Sequence, residues 1–254
     1  MLETALMVLA AALAGFIDAI SGGGGLVLVP ALFAVFPTAA PATLFGTNKG
    51  AAVWGTGWAA WQYARRVELP WATLVPATAA ALVGAFVGAW AVTLVSPDGF
   101  RRALPFVLGA VLLYTLARKD LGRTHAPRHR PRAQAALACA IGAAIGFYDG
   151  FFGPGTGSFF VFLFVRVLGF DFLHASASAK LLNTGTNAAA LLLFGLKGHV
   201  WWHLALVMAV ANVAGSFLGT RLALRHGAGF VRAVFVVVVA ALILKTAWDA
   251  FGRA

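Results

Sequence analysis

The chain has 254 residues, of which 61% are apolar and 11% charged, with a mean hydropathy of +0.88 and a formal net charge of +11. A soluble domain carries roughly a quarter charged residues, so this composition excludes an ordinary globular enzyme and predicts an all-α polytopic membrane protein embedded in the lipid bilayer. The positive charge sits in short connections between apolar stretches, where it reads as a positive-inside topology signal and not as a nucleic-acid surface.

Met1-Leu2-Glu3-Thr4 places an acid where a cleaved leader would carry bases, so the first apolar stretch, at about 4–20, is expected to remain as a span. It runs into Asp18 and then Ser21-Gly22-Gly23-Gly24-Gly25. Successive residues without a Cβ cost a helix about 1 kcal/mol each, so the helix is expected to break here. The stretch that follows, at about 25–36, is too short to cross a membrane that needs about 20 residues. Further apolar stretches lie at about 43–64, 71–95 and 101–118. The basic segment 119–132 then separates an N-terminal repeat, 1–118, from a C-terminal repeat, 133–254, and its charge places it in the cytoplasm. In the second half the stretches lie at about 133–151, 157–169, 174–195, 200–223 and 230–251, and Gly153-Pro154-Gly155-Thr156-Gly157 interrupts them as the glycine run does in the first. The single cysteine, Cys139, cannot form an intrachain disulfide.

The halves read as copies because residues match at a constant offset of 131 without a gap. The matches include Asp18 with Asp149, Gly22 with Gly153, Lys49 with Lys180, Trp71 with Trp202, Gly84 with Gly215 and Arg101 with Arg232. Chance agreement in apolar sequence would favour Ala, Leu and Val. Internal repeats with interrupted helices at corresponding positions are a mark of secondary transporters, whose site lies near the midplane where the halves meet. If the short segments cross, each half has five segments and the copies are inverted. If they re-enter, each half has four crossings and the copies are parallel. The distribution of Lys and Arg favours inversion.

The polar residues inside these stretches are the candidates for function. A cation at membrane depth is costly, and Lys49 and Lys180 each follow an aspartate and a glycine run. Lys180, Asn183 and Asn187 share one helical face, as Lys49 and Thr56 do, and Asn48 adjoins Lys49. An ammonium beside amide and hydroxyl donors can cradle an oxyanion. Freed backbone N–H groups at Gly22, Gly23, Gly24, Gly25, Gly153, Gly155, Thr156 and Gly157, at the start of the next half-helix, would add to it. Asp18 and Asp149 read either as neutralising partners of the two lysines, across the halves, or as carriers of a coupling proton. Gly84-x-x-x-Gly88 and Gly215-x-x-x-Gly219 are small-residue motifs for close helix packing. Trp71, Trp201 and Trp202 read as interfacial anchors. The histidines are too scattered for a metal site, and neither an acyl-transfer elbow nor a Gly-Lys-Ser/Thr phosphate loop is present, which argues against an enzyme and against a cofactor.

The run Gly15-Phe16-Ile17-Asp18-Ala19-Ile20-Ser21-Gly22-Gly23-Gly24-Gly25-Leu26, with Pro30-Ala31-Leu32, Gly46-Thr47-Asn48-Lys49 and Val67-x-x-x-Trp71, resembles the TauE/SafE family of sulfite and organosulfonate exporters. Gly146-Phe147-Tyr148-Asp149 through Gly157, with Ala179-Lys180 and Asn183, is similar to that family's second signature. The resemblance implies a bacterial inner-membrane permease for anions such as sulfite or sulfoacetate. It departs from strict duplication where Ala179 stands opposite Asn48. The reading is therefore a secondary transporter that exports a small sulfur-containing anion by alternating access. An anion channel, an uptake permease for a carboxylate or sulfonate, and a non-transporting scaffold are the alternatives, while proton coupling and a homo-oligomer are both compatible with the pattern.

Overall fold

The structure, a computed structural model, describes residues 2–95 and 129–251. The expected stretch at 101–118, Arg101 and the basic segment up to residue 128 lie outside the described residues. Helices α1 (Leu2–Ser21), α2 (Gly25–Val35), α3 (Pro41–Ala64) and α4 (Trp71–Val92) make up the first part. The second part holds α5 (Pro131–Phe151), α6 (Thr156–Leu163, extended by a π turn over Phe164–Leu168), α7 (Phe172–Leu196) and α8 (Trp202–Phe251). Gly227, at φ 71° and ψ −164°, interrupts α8, so two helices meet there as the sequence anticipates between 223 and 230. Pro41 and Pro131 open α3 and α5 at the first turn, where the missing N–H is not needed.

Leu2–Ser21, Trp71–Val92, Pro131–Phe151 and Trp202–Gly227 are long and apolar enough to cross a membrane, and the chain is a multi-pass membrane protein. Their outer faces carry exposed large apolar side chains, among them Leu9 and Leu13 on α1, Val83 and Trp90 on α4, and Val210 and Leu218 on α8. At roughly 36–38 Å each, at 1.5 Å per residue, α3 and α7 also exceed the hydrocarbon thickness. They differ in carrying their polar residues inward: Asn48, Lys49 and Thr56 on α3, and Lys180, Asn183 and Asn187 on α7, are all buried.

The small-residue motifs account for the tightest packing. A Cβ on Gly84 or Gly88 of α4 would strike the carbonyls of Ala143 or Phe147 on α5, and one on Gly215 or Gly219 of α8 would strike those of Ala12 or Phe16 on α1. Helix backbones can approach this closely only over glycine. Helices α3 and α7 lie against each other, with α8 beside α3 and α4 beside α7.

The interruption after α1 is stabilised by neighbours. Gly22 adopts φ +80°, and its Cα lies so close to Gly157 that a Cβ on either residue would overlap the other's backbone. The last carbonyls of a helix lack partners within it, and water is not available at membrane depth to supply them. Here Tyr63 of α3 donates to the Ala19 carbonyl at 3.0 Å, Ser176 of α7 to Ile20 at 2.7 Å, and Ser158 of α6 to Ser21 at 3.0 Å. The Ser158 N–H supplies Gly22 at 3.1 Å. The end of α1 is thus tied to three other helices.

Candidate functional site

Lys49 sits in the third turn of α3 and Asp149 in the last turn of α5; their Nζ and Oδ1 atoms are 2.6 Å apart. Lys180, in the third turn of α7, reaches Asp18 in the last turn of α1, with Nζ and Oδ2 2.8 Å apart. Each lysine therefore pairs with the aspartate of the other part of the chain, and all four residues are buried. Separating such ions is expensive: removing one partner of a buried pair leaves a charge whose exposure to low dielectric costs about 3–5 kcal/mol.

The two pairs have different surroundings. Lys49 also donates to Asn187 Oδ1 at 2.9 Å, and the Asn187 amide lies 3.3 Å from Thr56 Oγ1. Thr156 donates to Asp149 Oδ1 at 2.6 Å and to the Gly153 carbonyl at 2.8 Å, which ties the aspartate to the first turn of α6. Asp149 Oδ2 and Asn48 Oδ1 are buried without a hydrogen-bond partner. By contrast, Lys180 is sealed against Asp18, whose second oxygen lies 3.4 Å from the Gly24 N–H.

A narrow, largely enclosed cavity lies beside the first pair. Asp18, Gly22, Gly24, Gly25, Asn48, Lys49, Thr56, Asp149, Gly153, Thr156, Gly157, Asn183 and Asn187 line it, so most of the residues singled out from the sequence meet at one place. Gly23, Gly155 and Lys180 do not line it. Gly155 instead takes the left-handed conformation, φ +82°, that starts α6. The cavity's apolar surface comes from Ala14, Leu28 and Ala52.

Asn212 of α8 also lines the cavity and was missed from the sequence. Its amide donates to the Ala11 carbonyl at 3.0 Å, which fixes the side chain between α8 and α1. The available signal was a lone amide in an apolar helix, but the residue 131 positions earlier is Ala81, so comparing the halves passes it over. Tyr63, Ser158 and Ser176 were missed too, since their role depends on carbonyls that only the folded chain brings to them.

The family model described as sulfite exporter TauE/SafE matches residues 7–246. A probable membrane transporter protein of Sinorhizobium, ORF9, is 37% identical over 96% of this chain and 92% of its own length. The probable membrane transporter protein YfcA of Escherichia coli K12 is 38% identical over 96% of this chain and 89% of its own. A probable membrane transporter protein of Haemophilus influenzae is 31% identical over 93% and 91%. No solved structure gives a significant match.

Proposed function

As the chain belongs to the TauE/SafE family and is a membrane transporter, we propose that it moves a small sulfur-containing anion, sulfite or a sulfonate such as sulfoacetate, out of the cell by alternating access between its two halves. The observation that carries this reading is the crossed pair of buried ion pairs beside a polar cavity at the depth of two interrupted helices. Inverted copies would give this arrangement. Lys49 to Asp149 and Lys180 to Asp18 exchange under the 131 offset, as do the packing of α1 on α8 and of α5 on α4.

The site is electrically neutral, two ammonium groups against two carboxylates. An anion entering it gains only if an ammonium turns from its carboxylate to the newcomer. Lys49 is the one placed to do so, because it lines the cavity, and Asn187, Asn183 and Asn212 stand beside it as directional partners. Asp149 would then be a buried charge without its cation, a state that a proton on Oδ2 relieves. Anion and proton would then travel together. Without the proton, the inside-negative potential favours anion efflux by about 2.3 kcal/mol per charge per 100 mV. The residues assigned to binding are those of the cavity, with Lys180 and Asp18 holding the opposite half. The proposed location is the bacterial inner membrane, with 119–132 on the cytoplasmic side.

The test is counterflow of labelled sulfite and sulfoacetate in proteoliposomes. Saturable exchange that Lys49→Ala abolishes, in protein that still folds, is the expected result. Unchanged flux in both Lys49→Ala and Lys180→Ala would remove the lysines from transport, conductance without saturation would identify a channel, and no flux of any anion would identify a scaffold.

A further inference from the structure

Two more cavities follow the seam between α3 and α8, apart from the polar one. The first, an open groove, is walled by Trp54, Trp58 and Trp61 of α3 and Val213 of α8. The second, about 580 Å³, is bounded by Gln62 and Arg66 of α3 and by Phe217, Thr220 and Arg221 of α8. Phe217 joins them, its ring 6.2 Å from that of Trp58. From Val53 to Arg66 the α3 axis advances roughly 20 Å at 1.5 Å per residue. That is close to the depth of one leaflet, about half of a 30 Å hydrocarbon core plus a headgroup layer.

The seam is apolar along most of this length and cationic at one end. Arg66 and Arg221 are exposed, and neither guanidinium has an ion-pair or hydrogen-bond partner among the described residues. Thr220 is only 1% exposed, yet its Oγ1 has no hydrogen-bond partner. Helical threonines commonly satisfy themselves on the carbonyl four residues back. Thr47, Thr56 and Thr184 all do so in this chain, whereas Thr220, like Thr78 of α4, does not. A buried hydroxyl left free at the foot of two unpaired guanidinium groups calls for an acceptor from outside the protein. Guanidinium groups match the paired oxygens of a phosphate.

We propose that the seam binds an anionic phospholipid, with its phosphodiester held by Arg66, Arg221 and Thr220 and one acyl chain lying in the tryptophan slot. A free phosphate ion would answer the two cations but leave the slot unfilled; a zwitterionic lipid would fill the slot but bring its own cation to the arginines. Positions corresponding at the 131 offset hold Lys197, Ala89 and Trp90, so the seam between α7 and α4 lacks this chemistry.

The experiment is native mass spectrometry of the full chain in detergent, with phosphatidylglycerol and phosphatidylcholine of identical acyl chains in competition. Two cationic contacts at a membrane surface correspond to a preference for phosphatidylglycerol of roughly 30-fold. R66Q/R221Q should bring the two lipids to near equality, and the nearly isosteric T220V, which removes a contact to the phosphodiester that both lipids carry, should weaken the binding of phosphatidylglycerol while keeping the fold, which gives a reading even if the double variant fails to fold. Equal binding of the two lipids by the wild type, a preference undiminished in R66Q/R221Q, or phosphatidylglycerol binding undiminished in T220V overturns the proposal. So does displacement of phosphatidylglycerol by millimolar inorganic phosphate, which would make the seam a site for soluble anions.

Discussion

Replacing Lys49 by Ala and Asp149 by Ala, singly and together, tests whether the buried pair is a structural clamp, a substrate contact or both. In Lys49→Ala, Asp149 keeps its bond from Thr156 but loses a cation 2.6 Å away, and its second oxygen already lacks a partner. The carboxylate must then stay charged in low dielectric or take up a proton, and the expected cost is about 3–5 kcal/mol. Asp149→Ala leaves Lys49 with Asn187 as its remaining partner, at 2.9 Å, and should cost a similar amount. Removing both charges leaves no uncompensated ion. The double variant should therefore recover most of the loss, and two single losses of about 3–5 kcal/mol against a double loss of about 1 kcal/mol correspond to a coupling term of roughly 5–9 kcal/mol, larger than is usual for contacting residues. In thermal unfolding followed by tryptophan fluorescence, each single variant should fall by about 6–20 °C, at about 2–4 °C per kcal/mol for a chain of this size. The double variant should lie within a few degrees of the wild type yet carry no labelled anion in proteoliposomes, because the ammonium is gone while the fold is not. Additive destabilisation would show that the two side chains do not share an ion pair. Transport by the stable double variant would show that Lys49 is not a substrate contact.

Three other substitutions probe separate parts of the design. Gly22→Ala should lower the melting temperature and the yield of folded protein, since its φ of +80° is unfavourable for alanine and a Cβ would overlap the Gly157 backbone. Tyr63→Phe removes the hydroxyl that satisfies the Ala19 carbonyl at 3.0 Å and should cost about 1–3 kcal/mol in reversible unfolding, with little change in substrate affinity. Asn212→Leu removes an amide from the cavity wall without a charge, so half-saturation of transport should rise roughly tenfold, the size of one hydrogen bond to a charged group, while unfolding changes less than in Lys49→Ala.

Much of the helical plan was legible because glycine and proline act on the backbone directly. The runs at Gly22–Gly25 and Gly153–Gly157 break the helix whatever surrounds them, and α1, α2, α5 and α6 end or begin within a few residues of the expected positions. The uses of the glycines overlap in a way that sequence alone does not show. Gly22, Gly24, Gly25, Gly153 and Gly157 all line the cavity, and Gly22 and Gly157 also approach each other backbone to backbone. That Lys49 and Lys180 would be neutralised by Asp18 and Asp149 follows from the cost of burying any of them alone. Which lysine meets which aspartate depends on how α3 and α7 lie between α1 and α5, a tertiary fact with no local signature. Tyr63, Ser158 and Ser176 escaped notice for the same reason.

The departures from the 131 offset carry information that the matches do not. Asp18, Asp149, Lys49 and Lys180 obey the offset and form the two ion pairs, which alone would make two equivalent sites. Asn48, Thr156, Asn183 and Asn212 break it, standing opposite Ala179, Gly25, Ala52 and Ala81, and all four line the single cavity beside Lys49. A polar group at the depth of the bilayer is costly unless something uses it. On the proposed binding reading, these four side chains, each opposite Ala or Gly in the other half, are where the symmetry of the pairs would be given up for an asymmetric ligand. This is why the Lys49 side of the molecule, and not the sealed Lys180 side, is where substitutions should change substrate preference. Introducing Asn at Ala179 should alter transport less than removing Asn48, and the reverse order in a flux assay would place the ligand at Lys180.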